Sequence, residues 1–241
     1  MRSLVRLAIL ILFIAAPVGA AAEKIMRIGL VSLPQDLGNP YGSYTIPTVT
    51  PGLAVFDSLT VVDIEGTLQP WIAERWESID PLTWHFTLKP NVTFSNGEPF
   101  DAAAAAAALN YFASGDGLIE VVAQSVIDVA SARAIDPLVL EVKTKAPNIL
   151  LPRRLSGIRI PAPGPWAELG RRGFAQAPVG SGPFIATRWG TTQVDLIANT
   201  NSWRAPKLDR IEVKAVPEIT TRVQGLITGA LDIALDIGPD D

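Results

Sequence analysis

The chain has 241 residues, 48% of them hydrophobic, which is enough to bury a substantial core in one large domain or two smaller ones and excludes a disordered protein. A formal net charge of −4, a pI near 5.1 and the lack of any long basic run argue against nucleic acid as a partner. Cysteine is absent, so disulfides, thiolate metal sites, cysteine nucleophiles and a lipid-modified cysteine are all excluded.

The N-terminus has the pattern of an export signal. Arg2 and Arg6 precede the apolar stretch Leu7 to Ala16, and Ala20-Ala21-Ala22 offers a small-residue cleavage site before Glu23. The apolar stretch is shorter than the ~20 residues that span a bilayer, so residues 1–22 are expected to be a cleaved signal peptide and the mature protein to be periplasmic.

From Lys24, KIMRIGLVS predicts a first strand, ended by Pro34. A long loop is expected from Pro34 to Pro51, carrying Asp36, Asn39, Tyr41, Tyr44 and Thr45, polar and aromatic groups suited to a ligand site or to a solvated connection. Pro51 is expected to start a short helix through Phe56, with a strand over Leu59 to Val62 and a turn around Gly66. Trp71 and Trp76 are expected to pack between elements.

The stretch Thr83 to Asp101 carries the densest local signals. Trp84, Phe86 and Leu88 alternate with His85, Thr87 and Lys89, which predicts a strand with one buried face. Lys89-Pro90-Asn91 breaks it, Val92 and Phe94 restart the alternation, and Asn96-Gly97 supplies a tight turn. Asp101 is placed to cap a helix through the alanine run Ala102 to Ala108 and on to Phe112.

Beyond a flexible break at Ser114 to Gly117, helix is expected to resume over Leu118 to Ala123, and strands over Val126 to Ala130 and Leu138 to Thr144 are expected to pair. Residues 147–178 are rich in Pro, Gly and Arg. Arg153, Arg154 and Arg159 are candidates for carboxylate recognition, although arginines of this kind more often form a solvated face. Pro178 to Phe184 is a glycine-rich turn without the Gly-Lys-Ser/Thr ending of a phosphate loop. Strands are expected over Ile185 to Trp189, around Val194 to Ala198 and around Ile211 to Ala215. A helix over Thr220 to Thr228 should show Val223, Leu226 and Ile227 on one face, with Gly229 as its C-terminal cap and a strand beginning at Leu231.

The sequence gives no support to an enzyme. His85, the single histidine, falls on the polar face of its strand, and no Gly-x-Ser-x-Gly elbow accompanies it. The aspartates after Leu231 fit no calcium-loop spacing, and neither a metal site nor a cofactor is expected.

Five stretches, in this order, carry a family resemblance: Leu68 to Glu74 with Trp76, Thr83 to Asp101, Pro178 to Phe184, Asn199 to Trp203 with Pro206 to Asp209, and Thr221-Arg222 with Gly229 to Ile233. Together they resemble the extracytoplasmic solute-binding proteins of peptide and nickel ABC importers, solute-binding family 5. The resemblance implies an α/β fold like the type II periplasmic binding proteins, a first lobe with an accessory subdomain. Residues 23–59 and 176–241 would form the lobe and residues 60–175 the subdomain. On this resemblance the second lobe would lie outside the 241 residues, the family usually being about twice as long.

The implied function is binding a peptide or similar small polar solute and delivering it to a membrane ABC permease, with no catalytic residue and the chain acting as a monomer. The alternatives are a nickel-chelate receptor of the same family and a secreted protein outside transport. Val92 to Ala102 looks most like the nickel-chelate branch, yet the arginine and tryptophan of that branch near Gly115 to Leu118 are absent. Tyr44 and one of Arg153, Arg154 or Arg159 match its other ligand-side features.

Overall fold

The computed structural model describes residues 22–238, so the expected signal peptide lies almost wholly outside the described residues. The first part of the chain runs β1 (Ile25–Leu30), α1 (Ile46–Val55), β2 (Asp57–Ser58), β3 (Thr60–Val62), β4 (Leu68–Pro70), β5 (Ala73–Asp80), β6 (Thr83–Leu88), α2 (Ala102–Tyr111) and α3 (Gly115–Leu118). A 3₁₀ turn at Val121–Val126 leads to β7 (Val129–Asp136), β8 (Val139–Thr144), α4 (Leu151–Arg154), a 3₁₀ turn at Leu155–Gly157, β9 (Arg159–Ile160) and α5 (Pro163–Gln176). The last part comprises β10 (Phe184–Trp189), β11 (Gln193–Ala198), β12 (Arg210–Ala215), α6 (Ile219–Thr228) and β13 (Ile233–Ala234).

Two sheets organise these elements. The larger has strand order β10-β11-β12-β1-β13 and joins the first strand of the chain to its last, β1 lying parallel to β12 and β13. Its core holds Leu30, Phe174, Val194, Leu196 and Val213. The smaller sheet, β5-β6-β8-β7, is wholly antiparallel, and α2 packs on β7 and β8. The alternation read in β6 holds: Phe86 and Leu88 are buried, with Trp84 packed against the same core.

Alanine serves α2 doubly, as a strong helix former and as a side chain short enough for close approach. Ala102, Ala104, Ala105, Ala106 and Ala108 are all buried, and the Asp101 carboxylate accepts the Ala104 N–H at 2.8 Å. At the far end, Asn110 pairs through its amide with both backbone groups of Ala132, at 2.7 and 2.8 Å, tying the helix to β7.

Several elements differ from expectation. Helix α1 begins at Ile46, with Pro47 in its first turn and Pro51 inside it. The β-branched run Thr48, Val49, Thr50 reads as loop, but proline is tolerated where the first N–H groups are free anyway. The expected strand at Val92 and Phe94 reduces to a single bridge between Thr93 and Pro99. Strand β5 shows no alternation because it is a sheet edge on which only Ala73 is buried. The break at Ser114 to Gly117 is occupied by the short helix α3, and the next strand starts only at Val129.

The proline-rich stretch contains α5, whose prolines sit at its start and whose two segments meet at Gly170, φ 62°, a conformation glycine accepts without strain. In α6 the buried residues are Arg222 and Gly225, whereas Ile227 is 70% exposed. Arg222 donates to the carbonyls of Val216, Pro217 and Asp236, and Gly225 lets Leu231 lie against the helix.

His85 faces outward on the smaller sheet in a row with Glu141 and Arg133. Its Nε2 lies 3.3 Å from Glu141 Oε2, and Arg133 Nε donates to Glu141 Oε1 at 2.7 Å. The Arg133 hydrogen bond is the main force holding the Glu141 carboxyl down, from 4.5 to about 2, against its partial desolvation. A depressed carboxylate stabilises the fold above its unfolded value, and that stabilisation disappears as pH falls through the folded value. Between pH 4.5 and 2 the chain should therefore lose about 1–2 kcal/mol from this site, allowing for screening at the exposed Arg133. Denaturant titrations across that range should show a smaller acid loss in Glu141→Gln; an identical loss would rule out this origin.

Candidate functional site

The residues expected to line a ligand site take different places. Asn39 is buried: its amide donates to Glu120 at 3.1 Å and its carbonyl oxygen accepts the Tyr41 N–H at 3.1 Å. Tyr41 has no exposed surface and packs among Tyr111, Phe112 and Trp166, with ring centroids 4.8–5.6 Å away. Burial pushes its hydroxyl well above the ordinary tyrosine value, and the oxygen has no partner among the described residues. Asp36 lies 3.9 Å from Arg171, which also pairs with buried Glu120 at 2.7 Å. These contacts hold the loop against the end of α2, Glu120 and α5.

Thr45 precedes α1, its carbonyl accepting from Thr48 and Val49 at 2.9 and 2.8 Å. Arg153 donates to the Gly66 carbonyl at 2.8 Å, and Arg154 pairs with Asp128 at 3.4 Å on the surface.

Tyr44 and Arg159 line one cavity of about 400 Å³ between α1, the β2/β9 pair and the 203–204 loop. Tyr44 is half-exposed, with its hydroxyl 2.8 Å from Ser125 Oγ and its ring against Gly157. Arg159 is buried, and its guanidinium forms no ion pair with a carboxylate among the described residues. Burial pulls its pKa down to about 10, with Tyr44 acting weakly in the opposite direction. Gly52 of α1 makes the room for it, since a Cβ there would lie 2.8 Å from the Arg159 Cζ. A buried, unpaired guanidinium with a half-exposed tyrosine beside it is suited to taking up a carboxylate.

The cavity is also lined by Asp57, on the strand paired with that of Arg159, a residue that sequence reasoning passed over. Its carboxylate accepts from Trp71 Nε1 at 2.8 Å, Ser181 Oγ at 2.8 Å and Trp203 Nε1 at 3.0 Å, and pairs with Arg204 Nη2 at 2.8 Å. The Arg204 guanidinium lies 4.9 Å from the Trp71 ring and 5.8 Å from the Trp203 ring, a cation held on aromatic faces. A lone acid within Val55-Phe56-Asp57-Ser58-Leu59 was the available signal, because an acid inside an apolar run needs buried partners.

Among the described residues no cluster of histidine, aspartate and glutamate could hold a metal ion, and no helix is long and apolar enough to cross a membrane.

The model of bacterial extracellular solute-binding proteins, family 5 Middle, matches residues 67–241. The chain is 33% identical over 193 residues to the nickel-binding periplasmic protein of Escherichia coli K12, covering 74% of this chain and 35% of that protein. It superposes on NikA from Brucella suis in complex with Fe(III)-EDTA with a TM-score of 0.72 and 26% identity, over 87% of this chain and 43% of that one. It also superposes on the oligopeptide-binding protein AppA from Bacillus subtilis, in complex with a nonapeptide, with a TM-score of 0.76 and 19% identity, over 87% and 44% of the two chains. The last likeness concerns the fold alone. The chain thus spans less than half the length of these relatives. The α/β fold, the matched family model and the shared structures show that this chain belongs to the family 5 bacterial extracellular solute-binding proteins.

Proposed function

We propose that this chain forms the solute-recognising first lobe of a periplasmic ABC-importer receptor, binding a small polar solute through a carboxylate and handing it to a membrane permease. In this reading residues 23–59 and 176–241 are the lobe and residues 60–175 its accessory subdomain. The observation that carries it is the unpaired, buried Arg159 guanidinium facing a cavity of about 400 Å³ beside Tyr44. Peptides and metal chelates both present carboxylates, and recognition by closure over a solute needs no catalytic group. Identity to a nickel-binding periplasmic protein favours a metal chelate as the second reading.

Titration calorimetry of the chain with alanyl-alanine and with nickel citrate tests the proposal. Arg159→Gln should weaken binding about tenfold or more, because a charge-assisted bidentate contact is lost. Surface substitutions Arg153→Gln and Arg154→Gln should leave it within about twofold. Binding unchanged in Arg159→Gln would contradict the proposal.

Gly52→Ala should separate recognition from stability. The added methyl must push the guanidinium out of its place, so affinity should fall about tenfold. Stability should stay within about 1 kcal/mol, since alanine favours helix and the displaced group is a flexible side-chain end. Equal affinity in Gly52→Ala would show that the guanidinium position is unimportant.

A further inference from the structure

Two arginines reach the cavity, and they differ in electrostatic state. Arg204 is paired with Asp57 at 2.8 Å and held against two tryptophan rings, while Arg159 has no carboxylate partner among the described residues. Among the described residues Asp57 is the only acid lining the cavity, and its remaining acceptor capacity is taken by Trp71, Trp203 and Ser181. It is therefore not free to receive an ammonium group from a solute. The lining carries Arg159 and Arg204 against Asp57, a balance of one positive charge.

We infer that Asp57 sets the charge selectivity of the cavity: by neutralising Arg204 it leaves one uncompensated guanidinium, so that the site takes a solute through a single carboxylate and gives no advantage to a second. This inference rests on the reading of the cavity as the solute site. Asp57 acts here as a specificity-determining residue without touching the solute. Inside a partly desolvated cavity, removing or adding one formal charge changes anion affinity by about tenfold or more, well above the effect of a surface charge in salt.

The probes are N-acetylalaninate, with one carboxylate, N-acetylaspartate, with two, and the neutral N-acetylalaninamide, titrated into the full chain and followed by amide chemical shifts. In the parent the two anions should bind with affinities within about threefold of each other, and both above the amide. In Asp57→Asn, which frees Arg204, the dianion should gain about tenfold over the monoanion. Asparagine turns one acceptor into a donor facing an indole N–H, so this variant is open to misfolding, and Arg204→Gln, which keeps the carboxylate acceptor of both indoles, carries the test independently. Arg204→Gln leaves Asp57 unneutralised and should weaken both anions about tenfold although Arg159 is intact. Asp57→Asn combined with Arg204→Gln restores the charge balance and should return the parent's affinities and ratio.

Anion affinities unchanged in Arg204→Gln, or a double variant that keeps the parent's amide dispersion yet is no closer to the parent in affinity than Arg204→Gln, would overturn the role of Asp57 while leaving the solute site standing. A parent that binds the neutral amide as tightly as the anions would overturn both the site and the role.

Discussion

Gly180→Ala should destabilise the chain by about 3 kcal/mol or more, the scale of forced overpacking against an immovable neighbour combined with a strained hydrogen bond. A Cβ at Gly180 would overlap the Val55 carbonyl oxygen, with the Val55 carbonyl carbon at 2.8 Å and the Phe56 ring at 2.9 Å. These are backbone and buried aromatic atoms at the end of α1, so nothing nearby can swing aside. The same turn donates from Gly182 N–H to Val55 O at 2.9 Å, and Gly180 O accepts from Ser95 N–H at 2.9 Å. One glycine-rich turn thus joins the end of α1, the segment after β6 and the start of β10, which is why close approach is indispensable there. Gly115→Ala is the control, since a Cβ at that position meets open space. Denaturant unfolding of both variants checks the difference; a Gly180→Ala variant within about 1 kcal/mol of the parent would mean that α1 can retreat from the turn.

Asp57→Ala should cost about 3–5 kcal/mol, the range seen when one partner of a buried charge network is deleted. Two indole N–H groups and a serine hydroxyl lose their acceptor, and Arg204, a quarter exposed by its side chain at 24%, keeps its charge without a counter-ion. The network draws on β2, the segment before β5, the glycine-rich turn and the 203–204 loop, so its loss should loosen the junction between the two sheets. Tryptophan emission reports this directly: Trp71 and Trp203 touch edge to face at 5.1 Å, and the variant should unfold at lower denaturant with emission shifted to longer wavelength in its native baseline. A variant as stable as the parent would show that water replaces the carboxylate without cost.

How much of this was legible depended on whether the cause was local. Strand β6, the Asp101 cap and helix α2 follow from alternation, a side-chain acceptor and alanine propensity within one short stretch, and they stand where the sequence placed them. Helix α5 escaped notice because its prolines and Gly170 read as loop signals, whereas the prolines fall at the helix start and the glycine at an internal break. Strand β5 escaped because an exposed edge has no apolar period to display.

The site followed the same division. Tyr44 and Arg159 were recognisable as suitable residue types, but their meeting across one cavity is a consequence of β9 pairing with β2 next to α1. Asp57, Ser181, Trp203 and Arg204 come from distant parts of the chain, and no local pattern announces that they converge. Tyr41 has the chemistry of a ligand contact, yet the aromatic cluster holds it inside the core, while Asn39, tied to Glu120, lines a separate cavity of about 360 Å³ together with Asp36.

The most direct test of carboxylate recognition is a crystal structure of the chain grown with alanyl-alanine and, separately, with nickel citrate. The expected result is a carboxylate within hydrogen-bond distance of the Arg159 guanidinium, next to the Tyr44 ring and with the Asp57–Arg204 pair intact. Ligand bound elsewhere, with the Arg159 guanidinium still unpaired in the cavity, would contradict it.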